Sequence, residues 1–179
     1  MKKIMFSWNY IVLIICSLSL NAQSNYKIIN KISVPGDGFW DYISVDEANG
    51  KIYASHSTMV QVVDIKTGNL AGVIPDTKGV HGIAIATDLN KGFTSNGRDS
   101  SVTVFNPVTF EVIKKIRVSG QNPDAILYDS FSKYVFTCNG RSASLSVIDA
   151  VNDKEIAAIP LDGKPEAIVT DGKGKIYVN

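Results

Sequence analysis

Four tripeptides open units spaced about forty residues apart: Asp41-Tyr42-Ile43, His81-Gly82-Ile83, Asp124-Ala125-Ile126 and Glu166-Ala167-Ile168. An aromatic follows each about ten residues later, as Tyr53, Phe93, Phe136 and Tyr177, at steps of 40, 43 and 41 residues. A fixed period constrains a chain strongly. Units this short cannot bury a core alone, so each must stack its apolar face on the next.

Within a unit the apolar residues alternate with period two, which predicts strands and leaves no helical pattern after residue 25. The first unit predicts strands at 42–45, 51–55, 60–64 and 70–74, the second at 82–86, 92–95, 102–106 and 111–118, and the third at 125–129, 134–138, 145–149 and 155–160. Asn49-Gly50 is a tight-turn signal between the first two, since such turns need positive φ. Each third strand ends on an apolar residue followed by a short polar one, at Val63-Asp64, Phe105-Asn106 and Ile148-Asp149, suited to bonding the next turn's backbone. Four strands per forty residues predict an all-β fold, a β-propeller of four-stranded antiparallel blades. The expected blades are 37–75, 76–118 and 119–160, with a partial fourth at 161–179. The sequence is therefore read as an incomplete ring, whose apolar end face is expected to pair with another chain or aggregate.

Tyr26, Ile32, Val34 and Gly36 stand 84 residues ahead of Phe110, Ile116, Val118 and Gly120, so 26–34 reads as an outer strand without its own unit. In a propeller such a strand closes the ring by completing the last blade.

Lys2 and Lys3 precede the apolar run 11–15, and Asn21-Ala22-Gln23 offers a small residue for cleavage, so 1–22 reads as a secretory signal peptide. The mature domain, 23–179, is expected to be secreted or periplasmic and to keep no stable membrane anchor. Ile15 before Cys16 is too bulky for lipoprotein processing. The full chain has 18 basic and 17 acidic residues, and cleavage removes two lysines, so no nucleic-acid partner is expected. Cys138 would remain as the only thiol, expected to be buried and inert.

The run Gly174-Lys175-Ile176-Tyr177-Val178-Asn179, with Val147-Ile148-Asp149, resembles the YVTN-repeat β-propellers, also called YncE-like proteins. So do His81-Gly82-Ile83-Ala84-Ile85-Ala86, Phe93-Thr94-Ser95-Asn96-Gly97-Arg98 and Asn122-Pro123-Asp124-Ala125-Ile126. The resemblance covers residues 26–179 and implies a seven-bladed exported propeller with no settled common activity. The first unit departs from it, with Ser55-His56 where the second has Ser95-Asn96, and without Asn-Gly-Arg.

The crossings between units, marked by Pro35-Gly36, Gly120 and Gly163-Lys164-Pro165, fall on one face beside the central channel. Asp41, His81, Asp124 and Glu166 follow them and are expected to be neighbours there, able to hold a cation or a polar ligand. Arg98 and Arg141 recur in Asn-Gly-Arg loops of two units, where paired guanidiniums can grip a carboxylate or phosphate. Trp40, flanked by Phe39, is a candidate contact anchor. His56 is expected on a surface turn. Metalloprotease, paired-cysteine, phosphate-loop, nucleophile-elbow and haem-attachment motifs are absent from the sequence. The sequence therefore points to a non-catalytic binding platform for a small molecule or protein at the channel mouth, with no catalytic residue and no resident cofactor. The alternative is a lactonase-like enzyme holding a cation at the mouth.

Overall fold

The computed structural model describes residues 26–179. The expected signal segment and Cys16 lie outside the described residues. The described residues 26–31 belong to the first of two units and are exposed and without regular structure.

Ile32–Asn179 is the second unit, built of antiparallel sheets in chain order. The first sheet contains β1 (Trp40–Asp46), β2 (Lys51–His56), β3 (Met59–Asp64) and β4 (Leu70–Ile74). The second contains β5 (Val80–Ala86), β6 (Lys91–Asn96), β7 (Ser101–Phe105) and β8 (Val112–Arg117). The third contains β9 (Pro123–Asp129), β10 (Tyr134–Asn139), β11 (Ser144–Asp149) and β12 (Lys154–Pro160). A two-stranded sheet, β13 (Ile168–Thr170) and β14 (Ile176–Val178), follows. The innermost strands pack in succession, β1 on β5, β5 on β9 and β9 on β13. This is an all-β, unclosed propeller of repeated four-stranded blades. Residues 26–34 join no ladder, each four-stranded sheet already having its own outer strand.

The recurrent aromatics are what join the blades. Tyr53 is fully buried with Val60, Val62 and Ile74 against Val80, Ile83 and Phe105 of the second blade. Phe93 is fully buried with Val102 and Val104 against Val135 and Ile148 of the third. Phe136 packs with Leu145 and Val147 beneath Ile168, Ile176 and Val178. Burying such side chains contributes about 1.5–3 kcal/mol each, enough to make stacking rather than the single blade the stable unit.

The short polar residues ending each third strand cap the following turn. Asp64 Oδ1 accepts the Lys66 and Thr67 amides, Asn106 Oδ1 those of Val108 and Thr109, and Asp149 Oδ1 those of Val151 and Asn152. The first hairpin differs from the tight turn expected at Asn49-Gly50. Asp46 pairs with Lys51, leaving a four-residue loop in which Asp46 Oδ1 accepts the Asn49 amide.

A second regularity holds the blade interiors. Asn96 Nδ2 donates to Ser101 Oγ and Thr103 Oγ1, and its Oδ1 accepts from Thr94 Oγ1. Asn139 repeats this with Ser144, Ser146 and Thr137. Both asparagines are fully buried. A fully bonded polar network fixes register where apolar packing alone would tolerate a slip.

Candidate functional site

The innermost strands begin two residues earlier than the alternation predicted, because each starts with a bulge. Ladder register shifts between Trp40 and Ile43, between Val80 and Ile83, and opposite Thr137 and Asn139 at the start of β9. A bulge re-aims the extra residue's side chain. Asp41, His81 and Asp124 occupy these bulges, one on each of three successive blades.

The bulges are braced from the second strand of each blade. Ser55 Oγ donates to the Tyr42 carbonyl, and Ser95 Oγ accepts the Gly82 amide while donating to the Asp124 carbonyl of the next blade. Gly82 permits that approach: a Cβ there would come within 2.7 Å of Ile126 Cγ2 and 3.2 Å of the Asp124 carbonyl oxygen. Cys138 replaces serine at the matching position of the third blade. It is fully buried, and burial followed by the charges of Asp124 and Glu166 pushes its thiol up to about 11. It is chemically quiet, as expected.

Three of the four expected neighbours therefore converge. His81 Nδ1 lies 2.7 Å from Asp41 Oδ2 and 4.0 Å from Asp124 Oδ1. One ligand atom from each lies within 4.8 Å of the others, the spacing at which a cation can be shared. Burial holds the Asp124 carboxyl above its ordinary value; His81 opposes the shift, while Asp41 and Glu166 add to it. Glu166 is close enough for its charge to act on Asp124, and it forms an ion pair with Lys164.

Beside the cluster opens a cavity of about 410 Å³ lined by Phe39, Trp40, Asp41, Ser57, Gly79, Val80, His81, Arg98, Asn122 and Arg141. Trp40, Arg98 and Arg141, separated by up to 101 positions in sequence, thus border one space. Among the described residues, ion pairs are made by lysines and by His81, none by either arginine.

His56 is not the surface turn residue the sequence suggested. It ends β2, is 6% exposed, and stacks on Trp40 with ring centroids 4.0 Å apart and planes 5° from parallel. Its Nε2 donates to the Asp37 carbonyl at 2.9 Å. The strand runs one residue further than its alternation, which carries His56 off the turn. Ser57, Gly79 and Asn122 also line the cavity without having been singled out. The signal for them was the mismatch of chemistry at matched positions: Phe39, Gly79 and Asn122 are equivalent, as their carbonyls accept the amides of Ser57, Gly97 and Gly140 respectively.

No protein-family profile and no curated protein sequence matches the chain. Solved structures do share its fold. Hydrazine synthase of Kuenenia stuttgartiensis superposes with a TM-score of 0.70 at 18% identity, over 76% of this chain and 40% of that one. The WD40 β-propeller domain of Doa1 gives 0.66 at 12% identity over 78% and 47%, and the WD40 repeats of RRP9 give 0.69 at 10% over 77% and 44%. The chain thus spans less than half the length of each. At these identities the similarity shows the β-propeller fold alone.

Proposed function

We propose that this chain is an exported propeller of the YVTN-repeat, YncE-like kind, acting as a non-catalytic binding platform whose ligand seats at the channel mouth. The carrying observation is the cavity to which three blades each contribute different chemistry: Phe39 and Trp40 from the first, His81 and Arg98 from the second, Asn122 and Arg141 from the third. A concave, mostly preformed site with a few convergent polar groups is what small-ligand binding requires. Thermal-shift screening of the full chain against a small-molecule panel tests this. Ligands that stabilise the wild type should lose their effect in Trp40→Ala and in Arg98→Gln/Arg141→Gln; stabilisation that survives both variants would overturn the reading.

One observation favours a second reading, the lactonase-like enzyme. Asp41, His81 and Asp124 offer two carboxylates and an imidazole at ligand spacing, and three protein ligands leave positions open for water or substrate. A cation there would replace the proton that His81 Nδ1 now shares with Asp41. Stoichiometric uptake of Mn²⁺ or Zn²⁺ by the full chain, lost in Asp124→Ala, would favour this reading over the platform. Absence of uptake would remove its chemistry.

A further inference from the structure

We propose that the mouth cavity receives a small planar acid, its ring laid on Trp40 and its carboxylate or phosphate gripped by Arg98 and Arg141. The proposal rests on the binding-platform reading and names the ligand class of that site.

The repeat is broken in the first blade, at the cavity. Positions Phe39-Trp40 correspond to Gly79-Val80 and Asn122-Pro123, and His56 corresponds to Asn96 and Asn139. The first blade has thus replaced small residues and a network asparagine with three planar groups at a single place. That exchange sacrifices the polar network of the other two blades. Ala54 and Met59 stand where they have Thr94 or Thr137 and Ser101 or Ser144, and His56 Nδ1 is buried without a hydrogen bond. What it gains is a backed indole. Trp40 remains 42% exposed and borders the cavity while His56 supports it in parallel stacking. A preorganised aromatic surface loses little entropy when a flat ligand stacks on it.

Charge complements the aromatic surface. Arg98 and Arg141 sit at equivalent positions, their amides donating to the carbonyls of Lys78 and Gln121. Gly79, at φ +66°, leaves room for the Arg98 stem, since a Cβ would come within 2.5 Å of Arg98 Cγ. Asp41, the carboxylate that lines the cavity, is engaged by His81 rather than by either arginine. The lining therefore carries two guanidiniums against one carboxylate, with the His81 imidazole between Asp41 and Asp124. That excess favours an anion, and the forked donors favour a planar oxyanion. A volume of about 410 Å³ is at the small-molecule end of ligand sites.

Calorimetry on the full chain tests the class, with benzoate, phenyl phosphate, benzamide and inorganic phosphate as probes. Benzoate or phenyl phosphate should bind on the order of tenfold or more tighter than benzamide. Their relative affinities identify the acid group preferred. Arg98→Gln/Arg141→Gln should abolish the preference, and Arg98→Lys/Arg141→Lys should restore part of it by returning charge without the fork. Trp40→Ala should weaken the aromatic acids and leave inorganic phosphate unchanged. Unchanged melting of the exposed arginine variants excludes misfolding as the cause. Failure of both aromatic acids to bind, or benzoate binding unaltered in the double Gln variant, overturns the proposal. If benzamide binds as tightly as benzoate and Trp40→Ala weakens both, the acid class falls while the cavity stands as a binding site. If instead neither these probes nor any panel ligand responds to either variant, the platform reading falls as well.

Discussion

Trp40 lies flat on His56, with ring centroids 4.0 Å apart and planes within 5° of parallel. The pair occupies the place where the other two complete blades keep an asparagine network, so it replaces fold-stabilising polarity with a supported aromatic surface. His56→Ala should remove that support and leave a cavity, lowering stability by about 2 kcal/mol. The near-ultraviolet circular dichroism of Trp40 should flatten as the ring gains freedom, which separates loss of stacking from a general loss of stability.

The asparagine networks are expected to be no more tolerant. Asn96→Ala takes the acceptor from the buried Thr94 hydroxyl and the shared donor from Ser101 Oγ and Thr103 Oγ1, which still donate to Asp99 and to the Asp76 carbonyl. Leaving a buried hydroxyl without its partner should cost about 1–3 kcal/mol, read as a lower denaturation midpoint at unchanged slope.

The capped turns carry the acid sensitivity. Asp149 is held below its ordinary value by the Asn152 side chain and by the Asn152 and Val151 amides, and Asp64 is lowered chiefly by Lys51 and Thr67. A lowered folded-state pKa means stability that is present above the unfolded value, about 3.9, and is lost as pH falls through the folded one. Asn106 performs the same capping without a titrating group. Asp149→Asn should therefore lower the melting temperature at pH 7, where the carboxylate's contribution is present, and the difference from wild type should vanish as pH falls below about 4.

Asp124 has the opposite sign. Its folded-state pKa is raised, chiefly by burial, so its charge opposes folding at neutral pH, and the penalty disappears as pH falls below the unfolded value. Asp124→Asn should raise the melting temperature at pH 7, with the difference vanishing under acid. A group that destabilises the fold it belongs to is commonly kept for binding or chemistry.

The blade count, strand order and interblade core were legible in the sequence because they rest on period: apolar alternation, recurrent Tyr53, Phe93 and Phe136, and the Asx caps. The mouth was legible only in part. Asp41, His81 and Asp124 could be placed together because the repeat places them, but the bulge that aims them left no trace in an alternation read from residue 42 onward. Glu166 follows the same spacing, its charge acts on Asp124, and the ion pair it makes with Lys164 has no counterpart in the repeat. The repeat does not foretell the setting of His56, because that setting comes from Trp40 and Asp37, contacts that no repeat partner makes. Periodicity reveals what the units share, and the cavity is made of what they do not.

The most direct measurement follows Trp40 itself. In a Trp8→Phe background the full chain has Trp40 as its one indole, and titration with benzoate or phenyl phosphate reports on the cavity. The account predicts a saturable change in Trp40 emission that disappears in Arg98→Gln/Arg141→Gln. Saturable binding of either acid with Trp40 emission unmoved, or an emission change that persists in the double variant, would contradict it.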